Sequence, residues 1–222
     1  MKGNVILFIV EGPTDKDALM PYIEQELLNL KLKTTVQIMH GDILTAYESG
    51  KRQYKVGPHN VRQELIKSIT AFFSTPTKKS EQIKMQDITK VYYITDTDYC
   101  FTQEFPHSAN KRQCLQTMFY FNALRLTKKN DVPFKLIFFA KHLEHILINE
   151  SKDHSDEEKE KIAVEFGERS LLEENFFINT FRDVDIKSWE TYKKSYIGIK
   201  TYVGRACNMN NLLDEIDEWK NE

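Results

Sequence analysis

The chain lacks what would mark several common protein classes. Its 222 residues include three cysteines, Cys100, Cys114 and Cys207, far apart, with no CxxC pair and no Cys/His cluster. An odd, scattered set excludes a disulfide scaffold and a structural zinc module, and it fits a reducing compartment. Long apolar runs are missing as well. The opening stretch Val5-Ile6-Leu7-Phe8-Ile9-Val10 falls far short of the roughly 20 residues that a membrane-spanning helix needs. It ends in Glu11 rather than in a small-residue cleavage site, so a cytoplasmic protein without a signal peptide or membrane anchor is expected. No charge of one sign dominates: 31 Lys and Arg face 33 Asp and Glu, a formal net charge of −2. That balance argues against a surface coated for polyanions, so any contact with nucleic acid must run through a local patch or through metal ions. There is no internal repeat, no low-complexity tract and no P-loop, so any ATP dependence would have to come from a partner.

What the chain does have is an alternation of strand-length apolar runs and helix-length segments. Hydrophobic residues make up 41% of it, enough for one large domain, or one domain with a modest appendage. The continuous run Asn4–Val10 predicts a strand buried on both faces. Segment 17–30 carries Ala18, Leu19, Tyr22, Ile23, Leu27 and Leu30 at helical spacing, and 60–73 carries Val61, Leu65, Ile69 and Phe72 on one stripe. Further strands are expected at 34–39, 90–95 and 134–140. Together these imply βαβ units, an α/β fold with a Rossmann-like, mostly parallel sheet. The Ser/Thr/Lys-rich stretch 74–85 reads as a loop. Segment 111–126 reads as an amphipathic helix within an insertion at about 108–130. Beyond Asn149 the pattern becomes charged at 152–160, then helical or irregular, with a last helix at 209–219. The expected organisation is an α/β core over 1–150 and a mainly helical region over 151–222 packed on it.

Two acidic elements carry the chemistry. In Val10-Glu11-Gly12-Pro13-Thr14-Asp15 a carboxylate stands where a buried strand ends and the chain turns into a helix. Ligands of open parallel sheets collect outside the carboxyl ends of the strands, which places Glu11 well. Gly12 would permit a tight turn, Pro13 would stiffen it, and Asp15 would face the same crevice. The plainer alternative is Thr14 as an N-cap, with Asp15 and Asp17 opposing the helix dipole. In Tyr92-Tyr93-Ile94-Thr95-Asp96-Thr97-Asp98 a second apolar strand runs into acids. Alternation along an extended chain would put Asp96 and Asp98 on one side, converging on a hard cation such as Mg²⁺.

The pair VEGPTD and ITDTD resembles the signature of the Toprim domain, found in topoisomerases, bacterial primases, recombination proteins, overcoming-lysogenisation nucleases and ribosomal-RNA-maturing nucleases. In that family a glutamate closes the first strand and a DxD closes the third. The resemblance implies Glu11 as general acid/base or metal ligand, and Asp96 and Asp98 as ligands of Mg²⁺ or Mn²⁺. Asp15 matches a further metal-binding acid of the nuclease branches. Glu144, after the strand at 134–140, matches an acid that stand-alone Toprim nucleases carry there, the alternative being a solvated glutamate on a helix. A late lysine that stabilises a pentacoordinate phosphate is implied too, a role for Lys200 or Arg205. Lys141, His142 and Arg205 are candidates for substrate contact, although His142 and His145 have no third ligand in the sequence pattern and read equally as ordinary polar positions. The pairs Lys78-Lys79, Lys111-Arg112, Lys128-Lys129 and Lys193-Lys194 read as solvation. Tyr192, Tyr196 and Tyr202 are candidate stacking surfaces, or core.

These readings lead to a Mg²⁺- or Mn²⁺-dependent nuclease acting on DNA or RNA, tRNA included. By size and architecture the chain resembles anti-phage effectors paired with an ATPase sensor, and a homo-oligomer is a further expectation. No room exists for a topoisomerase gate, and no primase zinc module is present. The alternative is a non-catalytic Toprim-like module that binds metal or nucleotide or serves in assembly.

Overall fold

The computed structural model describes residues 4–30, 34–40, 43–44, 47–48, 53–101, 106–128, 130–184, 191–201 and 204–221. The chain groups into two compact units, one of Met1–Val10, Lys33–Ile94 and Phe105–Leu136, the other of Glu11–Leu32, Thr95–Glu104 and Ile137–Glu222. The expected boundary near residue 150 falls inside the second.

The first unit carries a five-stranded sheet of order β2-β1-β5-β7-β6, formed by β1 (Asn4–Val10), β2 (Thr34–His40), β5 (Ile88–Asp96), β6 (Ala123–Thr127) and β7 (Asn130–Phe139). The fold is α/β and the sheet mostly parallel: β1 runs parallel to both β2 and β5, and β6 pairs antiparallel with β7. Strand β1 is an interior strand, flanked by β2 and β5, and its run is apolar on both faces; Leu7, Phe8, Ile9 and Val10 are all fully buried. Phe8 stacks on Tyr92 of β5, with ring centroids 5.1 Å apart. Two-residue strands β3 (Tyr47–Glu48) and β4 (Gln53–Tyr54) form a small separate hairpin. Helix α2 (Val61–Phe73) buries the stripe Val61, Leu65, Ile69 and Phe73; Phe72, expected on that stripe, is only half-buried.

Two expectations for this unit need correction. Segment 74–85 holds a short helix α3 (Pro76–Ser80) and the start of a 3₁₀ turn (Met85–Asp87), because Thr75 caps the Lys78 amide and Pro76 takes the first helical position. Segment 111–126 is not one helix. Helix α4 (Pro106–Phe119) stops, and Ala123–Thr127 becomes the edge strand β6. The alternation of buried Leu124 and Leu126 with exposed Arg125 is the strand period that a helical reading overlooked. Lys111 is 2% exposed, so its pair with Arg112 is not a solvated one.

The second unit is largely helical: α1 (Pro13–Asn29), α5 (Leu143–Ile148), α6 (Asp156–Leu172), α7 (Phe176–Arg182), α8 (Tyr192–Thr201) and α9 (Asn210–Asn221). The charged run at 152–160 makes the start of α6. Ser155 Oγ accepts the Glu158 amide and Glu158 Oε2 accepts the Ser155 amide, a capping box with three acids in the first turn. Helix α1 packs on α6. Pro21, inside α1, has no N–H for the Asp17 carbonyl one turn back, and Gly167 of α6 sits against that carbonyl, where an added Cβ would stand 2.4 Å from the oxygen. Tyr22 stacks on Phe177 at 4.2 Å, and Phe166, Phe177 and Phe181 cluster below it. Among the described residues, no helix is long and apolar enough to cross a membrane.

Candidate functional site

Every candidate site residue lies in the second unit, and all but Lys200 and Arg205 stand at or just after the ends of β1, β5 and β7. Because β1 and β5 are parallel neighbours, with Val10 opposite Ile94, the residues that follow leave the sheet side by side. Glu11 is half-buried and both of its oxygens reach across to the end of β5. Thr95 Oγ donates to Glu11 Oε1 at 2.5 Å, and the Asp96 amide donates to Oε2 at 3.2 Å. Thr95 itself is buried at 1% exposure, so it is a fixed anchor rather than a mobile surface hydroxyl.

Asp15 is buried, and its Oδ2 accepts the Gly12 amide at 3.0 Å. The N-cap of α1 is Gly12, not Thr14, and Asp15 at the third helical position closes back on it. Gly12 has an extended backbone, φ −133° and ψ 174°, which any residue adopts, so the turn does not depend on glycine. Pro13 does occupy the first helical position.

Asp96 is the last residue of β5 and is half-buried. Asp98 is not extended: its φ is +47°, in the left-handed region. Period-two alternation therefore does not relate the two carboxylates. The loop is fixed instead by lacing to the segment after β7. The Thr97 amide donates to the Phe139 carbonyl at 2.9 Å, the Asp98 amide to the Lys141 carbonyl at 2.6 Å, and the Lys141 amide to Thr97 Oγ at 3.0 Å. Lys141 is also left-handed, φ +63°. Two non-glycine residues in this region, joined to one another, mark a loop pair whose shape the surroundings over-determine.

The remaining candidates are placed as follows. Lys141 Nζ donates to the Ser151 carbonyl, pairs with Asp153 at 3.2 Å and lies 5.2 Å from the Tyr99 ring. Tyr99 Oη meets both Asp153 oxygens at 3.0 Å. His142 caps α5, its Nδ1 facing the His145 amide at 3.1 Å and Glu144 Oε2 at 3.2 Å. Burial would raise the Glu144 carboxyl, but hydrogen bonding from His142 and from its own amide, together with the charge of Lys159, holds it below the usual range. Burial, only partly offset by a hydrogen bond to the Ala140 backbone, pushes the His145 imidazole down. Arg205 Nε donates to the Ile146 carbonyl at 2.7 Å, holding the end of α5. Lys200 is exposed on the last turn of α8, 5.6 Å from the Tyr196 ring. Tyr196 is core at 3% exposure; Tyr202 lies outside the described residues.

Comparison of the chain with protein-family models, with curated proteins and with solved structures finds no match.

The geometry thus joins Glu11 to the end of β5 through Thr95 and the Asp96 amide, and folds Asp15 back on the Gly12 amide that follows Glu11; Asp98 lies two residues beyond Asp96, and Lys141, His142 and Glu144 follow the end of β7. Among the described residues, no three His, Cys, Asp or Glu side chains form a ready-made metal ligand set. The donors of the corner are nonetheless all hard carboxylate oxygens, the type that Mg²⁺ and Mn²⁺ take. Sequence reasoning missed Thr95, Thr97, Tyr99 and Asp153. The hydroxyls were visible as the alternating Thr of ITDTD; Asp153, in a charged run, gave no signal.

Proposed function

We propose that Glu11, Asp15, Asp96 and Asp98, with Glu144 as a fifth carboxylate, hold one or two Mg²⁺ or Mn²⁺ ions, and that the chain hydrolyses phosphodiester bonds in DNA or RNA. The observation that carries the reading is the carboxylate of Glu11 held by Thr95 and Asp96 across two parallel strand ends. Carboxylates gathered at one place repel one another, and a cation relieves that repulsion. The resemblance of VEGPTD and ITDTD to the Toprim signature supports the same reading. Bound there, a divalent ion supplies a water of lowered pKa and neutralises charge on the leaving oxygen. The chain's own part is to fix Glu11 through Thr95, to fix Asp98 through Lys141, and to offer the Lys141 ammonium to a phosphate in exchange for Asp153. An ATPase partner and assembly into a homo-oligomer belong to the proposal as means of control.

One observation favours the non-catalytic alternative. Glu11 and Asp15 each have a hydrogen-bonding role in the fold, so their presence has a structural account without metal. Cleavage of mixed DNA and RNA substrates, with Mg²⁺ or Mn²⁺ against EDTA, separates the two. Metal-dependent cutting abolished in Glu11→Gln and Asp96→Asn supports the nuclease. Absence of both cutting and a Mg²⁺-dependent rise in Tm leaves the module that binds or assembles.

A further inference from the structure

His142 has two histidine neighbours that the carboxylate corner does not use, His145 in α5 and His154 just ahead of α6. His142 lies with its ring centroid 6.2 Å from His145 and 6.1 Å from His154. His142 and His145 are 7% and 9% exposed, and the His154 side chain 2%. Each has one ring nitrogen buried with no hydrogen-bond partner: His142 Nε2, His145 Nδ1 and His154 Nε2. A buried polar atom in that state carries its full desolvation cost, so three neighbouring ones require an explanation.

The opposite nitrogens supply it. His142 Nδ1 is 3.2 Å from Glu144 Oε2, His154 Nδ1 is 3.7 Å from Glu158 Oε2, and His145 bonds the Ala140 backbone. Metal-bound imidazoles are oriented this way, one nitrogen on the ion and the other N–H on a carboxylate or carbonyl. The His145 amide also faces His142 Nδ1, but it has the His142 carbonyl at 3.2 Å as a second acceptor, so Nδ1 can carry the proton for Glu144. His154 lines an open pocket of ≈ 350 Å³ together with Glu150, Glu158 and Glu165, a route of entry for a cation.

We propose that His142, His145 and His154 form a binding site for Zn²⁺, with Glu144 orienting the His142 ring and the Ala140 backbone the His145 ring. Imidazole ligands select zinc-class ions over Mg²⁺, which takes oxygen donors. Two imidazoles on a tetrahedral zinc with Zn–N of about 2.1 Å have centroids about 5 Å apart. His145 and His154 must therefore each close on His142 by about 1 Å on binding, since no three such side chains stand ready to hold a metal among the described residues. Three histidines leave the fourth zinc position open to water or an anion.

The test uses the whole chain with Zn²⁺ and Co²⁺ salts. Zn²⁺ raises Tm and binds with one-to-one stoichiometry in calorimetry, and Co²⁺ gives the intense visible absorption of a tetrahedral ion. His154→Gln and His145→Gln each weaken Zn²⁺ binding at least tenfold, and Glu144→Gln weakens it by about 10- to 100-fold. Asp96→Asn leaves it unchanged. Should His145→Gln fail to fold, His154→Gln alone carries the comparison. No Zn²⁺ binding by the wild type, equal binding by the histidine variants, or loss in Asp96→Asn overturns the site. Glu144 serves in both proposals, so the two are told apart by residues that belong to one alone: His145 and His154 for Zn²⁺, Glu11 and Asp96 for Mg²⁺ or Mn²⁺.

Discussion

Thr95 shows how much one hydroxyl can do at the end of a strand. Its bond to Glu11, at 2.5 Å, is shorter than the one from the Asp96 amide, and it comes from a buried residue. Thr95→Val keeps the shape and removes the donor, leaving a half-buried carboxylate with one bond fewer, a loss of about 1–2 kcal/mol. Thr95→Ser restores the donor and most of the stability. Urea denaturation measures the first effect. A Mg²⁺ titration of Tm measures the second, since the metal-dependent rise shrinks in Thr95→Val if Glu11 is a ligand that Thr95 positions. An unchanged Mg²⁺ response in Thr95→Val would separate Glu11 from metal binding. At this scale the sequence was half legible. An acid ending an apolar strand is visible at once, because burial and charge conflict in adjacent letters. The identity of its partner is not, since Thr95 lies 84 positions away and only strand pairing brings it near.

Elements were legible where one periodicity ran unbroken. The runs at Asn4–Val10 and 60–73 matched the strand and helix found there because each is long and its pattern has one interpretation. The failure at 111–126 came from two short patterns in sequence, a helix and an edge strand whose few apolar residues fit either period. The failure at Asp98 had another cause: a positive φ in a non-glycine residue is imposed by the lacing to Lys141, which no local signal announces. The packing of α1 on α6 was equally silent, since it rests on Pro21 and Gly167 meeting at the Asp17 carbonyl. Gly167→Ala forces a methyl to within 2.4 Å of that oxygen, and one helix must shift. The expected loss is about 1–3 kcal/mol by thermal or urea unfolding, an overpacking effect. Because α1 carries Asp15, the same substitution lowers any metal affinity of the corner. A neutral effect on stability would mean that the helices separate there without strain.

At the scale of the whole molecule the cysteines report on how well the interior is closed. All three are buried, although they lie in different parts of the chain. Burial pushes the Cys114 thiol up to about 11 and the Cys207 thiol to about 12 from an ordinary value of 9.0. A thiol whose folded pKa is raised contributes stability that is fully present below its unfolded pKa and is lost as pH rises through the folded value. Stability therefore declines from about pH 9 upward, the decline extending to about 11 for Cys114 and about 12 for Cys207. Urea midpoints across this range measure it, and Cys207→Ala flattens the slope, whatever its constant loss at neutral pH. The same burial predicts that none of the three thiols reacts with a disulfide reagent at neutral pH in the folded protein, while all three react in urea. If instead Cys207 reacts in the native state at the rate of an exposed thiol, the segment carrying Arg205 to Met209 opens on that timescale. The hydrogen bonds that Ala206 and Asn208 make to Ala140 and Phe138 would then be broken in a substantial fraction of molecules. Because that segment pairs with the end of β7, next to Lys141 and His142, such opening would loosen both proposed metal sites together.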